Sequence, residues 1–430
     1  MDKWYKLDNA ARLYPHVANS NRTSVFRVSC VLHRTVNPVL LQEALDSIRK
    51  KYEFFFVRIH RGFFWNYFDI NPKKLLVESE SETPCQDINK MKNAGFSLRV
   101  LYYNKRISVE IFHALSDGGG IIEFLKSLVY YYLELEGFPI PNDGSIISKE
   151  GLPELDASDD SFFRYYDDLK GLSKKERLIE KQKKAYKLQG SVFPSGGIQV
   201  TSLLLSSKAL YALAKKYNTT ITGYLLALLF HALFETEVKY KRTKKPVSIA
   251  VPVNLRRAFP SKTLRNFFSV INIVLPYTAD DGLQELCQKV DEVLKEKTQK
   301  QYLQKQVRRT TRFSMTRWMR FAPLIIKKIF IQAGFSLMSE TKRTLTLSNL
   351  GIVSIPEQML QHISHMEVVS HLTPRCPISC SMVSTGDTTC ISFSKSISDM
   401  ELVHFFTNYL SKKEGVDITV YSNEWGNYEL

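Results

Sequence analysis

The sequence predicts an α/β protein in which one sandwich architecture is made twice. Three observations carry this. Runs with strand period and runs with helix period are mixed in both halves and joined largely by antiparallel connections, a pattern of packed sheet-and-helix layers. Between Pro139 and Gly197 that pattern weakens. No GxGxxG follows a strand anywhere, so a Rossmann sheet is not indicated. The expected division is an N-terminal subdomain over 1–165, a linker helix and loop over 166–197, and a C-terminal subdomain over 198–430. At 430 residues, with 44% hydrophobic and 12% aromatic residues, the chain has ample material for two cores.

In the first half, Ser24 to Leu32 is a β-rich run. Asn37-Pro38 then offers a cap followed by proline at the first helical position, and Leu40, Leu41, Ala44, Leu45 and Ile48 repeat at helical spacing. Phe54 to Phe68 reads as a strand pair turning at Arg61-Gly62. Phe96 to Tyr103 and Arg106 to His113 form a hairpin about Asn104-Lys105. Ile107, Val109, Ile111 and His113 fall on one face of its second strand, so the histidine sits at that strand's C-terminal end. Ile121 to Tyr132 is a long, broadly apolar helix.

The linker zone holds prolines, the acidic stretch Glu154 to Asp168, a Lys-rich helix around Lys174 to Lys187, and Pro194-Ser195-Gly196-Gly197. The second half has strands at Gln199–Leu205, Val247–Val253, Phe268–Leu275, Thr344–Leu347, Met366–Ser370, Ile378–Val383 and Cys390–Phe393, the last two joined at Gly386-Asp387. Helices are expected at Lys208–Lys216, from Thr222, and at Met400–Leu410.

The N-terminus has no apolar targeting core, so the cytoplasm is the expected location. The apolar stretch Phe321 to Leu337 is interrupted by Pro323, Lys327, Lys328, Gln332 and Gly334 and does not read as a membrane span. Six scattered cysteines lack metal-ligand spacing and read as reduced, mostly buried thiols. The net charge of +16 is concentrated between Lys295 and Lys328. That stretch suits a solvated helix face, a phosphate-bearing small molecule or a peripheral membrane contact. Nucleic acid is not expected, because no helix-turn-helix, zinc-finger or ribonucleoprotein signature is present.

Chemistry points to Phe112-His113-Ala114-Leu115-Ser116-Asp117-Gly118-Gly119-Gly120, on a strand-loop-helix junction. It is not a phosphate loop, since GxxxxGK[ST] is absent, and no GxSxG offers a serine nucleophile. His362 and His365 lie three apart with no third ligand and read as surface or packing residues, so no metal site is expected. His371, without a paired acid, reads as a core residue.

The HxxxDG pattern of His113 and Asp117 resembles the active-site motif of the chloramphenicol acetyltransferase-like superfamily, which includes condensation domains and alcohol acetyltransferases. Val251-Pro252-Val253-Asn254-Leu255-Arg256, Thr263-Leu264-Arg265-Asn266-Phe267 and Thr346-Leu347-Ser348-Asn349-Leu350-Gly351 are similar to second-half signatures of alcohol acetyltransferase-like proteins. The resemblance covers nearly the whole chain. It departs at Phe112, where condensation domains double the histidine, and this weakens assignment to that branch.

The resemblance implies two sandwich subdomains with an active-site tunnel between them, and an acyltransferase moving an acyl group, acetyl in the leading reading, from acyl-CoA to a small or amphipathic alcohol. No permanent cofactor is implied, acyl-CoA being a co-substrate. A condensation-type module using a carrier-protein thioester is the alternative. His113 would be the general base in a ternary complex. Asp117 would orient the loop, paired with Arg256. Gly118, Gly119 and Gly120 would leave room for the donor's pantetheine arm and permit positive φ. Ser348 and Asn349, expected at a strand end, are candidates for the oxyanion donor or for an Asx or serine turn. Asn266 has the same double reading, as a polar site group or an anchor for a crossover loop. Arg308, Arg309 and Lys342 are candidates to hold the phosphates of coenzyme A.

Overall fold

The computed structural model describes residues 4–80, 83–88, 93–151, 155–166, 182–193, 197–241, 243–278, 281–338 and 340–423. Three sheets and two cores organise them. The N-terminal core is covered by a sheet ordered β12-β2-β7-β6-β5, where β2 is Val25–Leu32, β5 Val77–Ser79, β6 Leu98–Tyr103, β7 Arg106–Phe112 and β12 Ile363–Val369. A small sheet of β1 (Trp4–Lys6), β4 (Asn66–Ile70) and β3 (Val57–Arg61) lies beside it. The C-terminal core is covered by seven strands ordered β10-β9-β11-β13-β14-β8-β15. These are β8 (Gln199–Ser206), β9 (Val247–Asn254), β10 (Phe268–Leu275), β11 (Leu345–Ile352), β13 (Ile378–Thr385), β14 (Thr388–Lys395) and β15 (Thr419–Ser422).

Local chemistry explains the elements that position the site. Asn37 caps the helix Pro38–Ile48 by accepting from the amides of Val39 and Leu40, and its periodic face, Leu41, Ala44, Leu45 and Ile48, is buried. The β6–β7 hairpin turns at Asn104, whose φ of 46° suits an asparagine. Ile107, Val109 and Ile111 of β7 point into the N-terminal core. The helix Gly118–Leu135 follows, buried along most of its length. In the second half, Thr220 caps the helix Ile221–Leu233, whose apolar surface is covered nearly all round. Together with the turn after it, this helix is long and apolar enough to span a membrane, but 72% of that stretch is buried inside the protein.

The boundary at 198 does not divide the fold cleanly. Strand β12, deep in the predicted C-terminal subdomain, pairs antiparallel with β2 and completes the N-terminal sheet. Met366 and Val368 belong to the N-terminal core. The crossing covers an otherwise exposed strand edge and ties the halves together. Of the predicted linker, the Lys-rich helix through Lys174 and the stretch Pro194 to Gly196 lie outside the described residues, while Gln182 to Lys187 is neither helix nor strand. Helices at Leu283–Lys297, Lys300–Met315 and Leu324–Met338 were not anticipated as elements. All six cysteines are free and buried, as the sequence indicated.

Candidate functional site

His113 follows β7 directly, its amide donating to Ser24 O (2.8 Å). Its imidazole is clamped by aromatic rings. Tyr14 stacks on it with centroids 4.6 Å apart, Phe26 lies at 4.9 Å, and Phe268 approaches from the second half at 5.3 Å. Nδ1 is 3.1 Å from Asn266 Oδ1. The opposite side of the Asn266 amide donates through Nδ2 to Asp8 Oδ2 at 3.1 Å, and Asp8 Oδ1 accepts from Ala11 N at 2.7 Å. With its Nδ2 turned to Asp8, Asn266 presents its oxygen to the histidine. Nδ1 therefore carries the proton, and Nε2 keeps its lone pair. Burial lowers the His113 pKa, with Asp117, Asn266 and Asp8 opposing, which keeps the ring neutral. Burial also pushes the Asp8 carboxyl up, against Arg265.

Asp117 faces away from this ring. Its Oδ1 accepts from Gly120 N (3.1 Å), capping the glycine helix, and its Oδ2 accepts from Arg256 Nη1 (2.8 Å) and Phe267 N (2.7 Å). One carboxylate thus holds a helix start and two points of the second half. Arg256 also donates to the carbonyls of Thr263 and Arg265.

The glycine run departs from expectation. Gly118 to Gly120 open the helix, and none of them has positive φ. Their smallness serves close approach between the halves. A Cβ at 120 would lie 2.0 Å from Leu264 O, and one at 118 would lie 2.5 Å from Leu350 Cδ2. Gly118 and Gly119 line the cavity described next, whereas Gly120 is buried in the seam.

A cavity of about 1620 Å³ lies between the halves, lined by His113, Asp117, Gly118, Gly119, Arg256 and Ser348 among others. Ser348 and Asn349 sit within β11, which runs on to Ile352, and not at a strand end. The Asn349 amide is engaged on both sides: Nδ2 donates to Thr222 Oγ1 (2.9 Å) and Oδ1 accepts from Gly351 N (2.8 Å), where the register of β11 shifts and Gly351 has φ of 77°. It therefore builds a local turn, while its NH₂ has a second hydrogen and the residue lines the cavity. Leu345 and Leu347 enter the core while Thr346 and Ser348 face the cavity, as strand alternation requires.

Of the predicted phosphate contacts, only Arg309 lines the cavity. Arg308 is half-buried off it. Lys342 sits in a short turn, its carbonyl accepting from Gln182, and its neighbour Arg343 lines the cavity instead. Sequence reasoning missed Lys215, Arg257 and Lys295, exposed cations on the wall, because helix turns far apart in the chain bring them there. His371, read from the sequence as a core residue, stands edge-on to His113 at 6.2 Å and lines the same cavity. Burial, reinforced by His113, Arg343 and Arg22, drops its pKa to about 3. Tyr14 and Asp8 carried no motif and were invisible in the sequence. His362 packs on Phe138, and His365 is buried beside Glu367 and Tyr421.

No family model matches the chain, and no curated protein matches it. Solved structures do. The first condensation domain of the calcium-dependent antibiotic synthetase aligns with a TM-score of 0.63 at 12% identity, covering 97% of this chain and 99% of that one. The trichothecene 15-O-acetyltransferase TRI3 of Fusarium sporotrichioides aligns at 0.59 and 12%, covering 94% of each chain. TRI101 of the same organism, solved with coenzyme A and T-2, aligns at 0.59 and 11%, covering 96% and 98%. The chain has the two-subdomain fold of these structures, a condensation domain and an O-acetyltransferase among them.

Proposed function

We propose that this chain is an acyltransferase that moves an acyl group from a coenzyme A thioester to an acceptor hydroxyl, with His113 as general base. The observation that carries the reading is the Asp8–Asn266–His113 relay, which presents an unprotonated Nε2 to a cavity walled by both halves. His113 takes the hydroxyl proton as the oxygen attacks the thioester carbon. A C–O bond forms, the tetrahedral adduct collapses with cleavage of the C–S bond, and the imidazolium returns its proton to the departing thiolate. Ser348 is the side chain proposed to donate to the oxyanion, and Asp117 with Arg256 positions the loop that carries the histidine. Lys215, Arg257, Lys295 and Arg309 suit the phosphates of the nucleotide tail, and the cavity would serve as a tunnel in which donor and acceptor meet. The fold shared with an O-acetyltransferase and with a protein solved with coenzyme A supports this reading.

The test is release of free thiol from acetyl-CoA with a panel of alcohols. His113→Ala should abolish transfer with an unchanged circular dichroism spectrum. Full activity in that variant would refute the role of the imidazole. The likeness to a condensation domain favours a second reading, a carrier-protein thioester donor. Matched CoA-bound and carrier-bound donors, compared side by side, separate the two.

A further inference from the structure

From Lys300 to Met338 the chain forms three helices, Lys300–Met315, Arg317–Phe321 and Leu324–Met338, packed with only part of their apolar surface inward. Leu303 and Val307 anchor the first in the C-terminal core, Met319 and Ile331 pack on Val17, and polar contacts complete the attachment. Leu324 N donates to Phe63 O (2.9 Å), Lys327 Nζ donates to Phe64 O (2.8 Å) and stands 3.7 Å over the Trp65 ring, and Gln332 Nε2 donates to His16 O (2.7 Å). This fixes the helices on the β3–β4 loop and leaves large side chains facing outward. Phe321 is 68% exposed, Ile325 80% and Ile329 65%, and Trp318 and Phe330 lie beside them. Phe63, at the tip of the same loop, is 72% exposed and extends the patch. A contiguous apolar surface of this kind is uncommon on a protein that meets only water.

Two further features say what covers it. Arg312, Arg317, Arg320 and Lys328 rim the patch, all exposed and without an ion-pair partner among the described residues. A second copy of this chain, on a two-fold axis, would bring these cations against one another in a protein of net charge +16. An anionic lipid surface would neutralise them while accepting the aromatic and aliphatic side chains, the arrangement of an interfacial helix. Moreover Phe313 and Phe330, both about 60% exposed, also line the cavity that holds His113, with Met319, Ile331 and Phe335 behind them. The cavity thus has an apolar mouth inside the patch.

We infer that this face docks on anionic membranes and that the acceptor entering by the apolar mouth is an amphipathic, membrane-dissolved alcohol. The second clause rests on the acyltransfer reading, and the first does not. Vesicles of phosphatidylcholine with about 30% phosphatidylglycerol should carry the full-length protein upward in flotation, whereas pure phosphatidylcholine vesicles should carry far less. Raising salt from about 0.1 M to about 1 M should release much of the electrostatic part. The double variant R317Q/R320Q should lower partitioning roughly twenty-fivefold, as two cations each contribute roughly fivefold at such a surface. F321S/I325S should lower it with the net charge unchanged. Failure to float at low salt would overturn the inference, as would a dimer in solution that F321S/I325S dissociates. Thiol release with a water-soluble alcohol, measured on the same samples, keeps the two readings apart. Protein that transfers acetyl groups but does not float refutes only the membrane face. Protein that floats but transfers nothing refutes the acyltransfer reading and the acceptor drawn from it. With both activities present, a long-chain alcohol offered in the vesicles should outcompete its short-chain counterpart in wild type and lose that advantage in F321S/I325S.

Discussion

Replacing Gly120 with alanine places a methyl group 2.0 Å from the Leu264 carbonyl oxygen, 2.8 Å from its carbon and 2.2 Å from Ser116 Oγ. Contact becomes ordinary only at 3.4 Å, so the shortfall, 3.4 less 2.0, is about 1.4 Å. The obstacle is backbone and cannot rotate away. The segment that must move carries Asn266, which holds His113, and Phe267, whose amide binds Asp117. Overpacking of this kind costs about 1–3 kcal/mol, and the hydrogen bonds disturbed with it add about 1 kcal/mol each. The better helix propensity of alanine returns at most about 1 kcal/mol. A net loss of about 3 kcal/mol is expected, together with a roughly hundredfold fall in kcat from misplacing the relay by about 1 Å. Gly118→Ala is the control. Its Cβ meets the end of the Leu350 side chain at 2.5 Å, which can swing into the cavity, so a change below about 1 kcal/mol is expected. Urea unfolding followed by tryptophan fluorescence gives both stabilities, and thiol release gives kcat. Gly120→Ala within about 0.5 kcal/mol of wild type, or no worse than Gly118→Ala, would refute the close-packed seam.

Asn266→Ala removes the acceptor that fixes the His113 tautomer and should lower kcat roughly a hundredfold with little change in KM for the donor. Asn266→Asp, which retains an oxygen there, should recover part of the rate while moving the acid limb of the pH profile upward, since a carboxylate favours the imidazolium; a rate within threefold of wild type for the alanine variant would remove Asn266 from the mechanism. His371 has its pKa pulled down to about 3 by burial, so as pH falls through the ordinary histidine range near 6.5 the unfolded chain takes up a proton that the folded chain refuses, and stability is lost. Between pH 6.5 and pH 5 this amounts to up to about 2 kcal/mol, and His371→Gln should flatten the measured stability difference by that amount, whereas unchanged steepness would show that the ring is protonated in the fold.

Much of the scaffold was legible because its signals are local. The Asn37-Pro38 cap, the Asn104 turn and the alternation of Ile107, Val109 and Ile111 each depend on residues a few positions apart. So was the motif residue His113, through its spacing to Asp117. The helices from Leu283 to Met338 were less clear, because charged residues interrupt their apolar faces. Strand β12 was assigned correctly as a strand but to the wrong half, since nothing within Ile363–Val369 states which sheet edge will accept it.

By itself the sequence determined that two α/β sandwiches form and that a histidine stands at a strand-to-helix corner, because period, caps and turn residues act over one or two turns of chain. Only the tertiary structure decided what that histidine is. Its proton is placed by Asn266 and Asp8, respectively 153 positions later in the chain and near its start, its pKa is lowered by the rings of Tyr14, Phe26 and Phe268 closing round it, and its cavity exists because glycines let the halves meet. Those are effects of desolvation and hydrogen-bond geometry, and they come into being when segments distant in sequence are packed together.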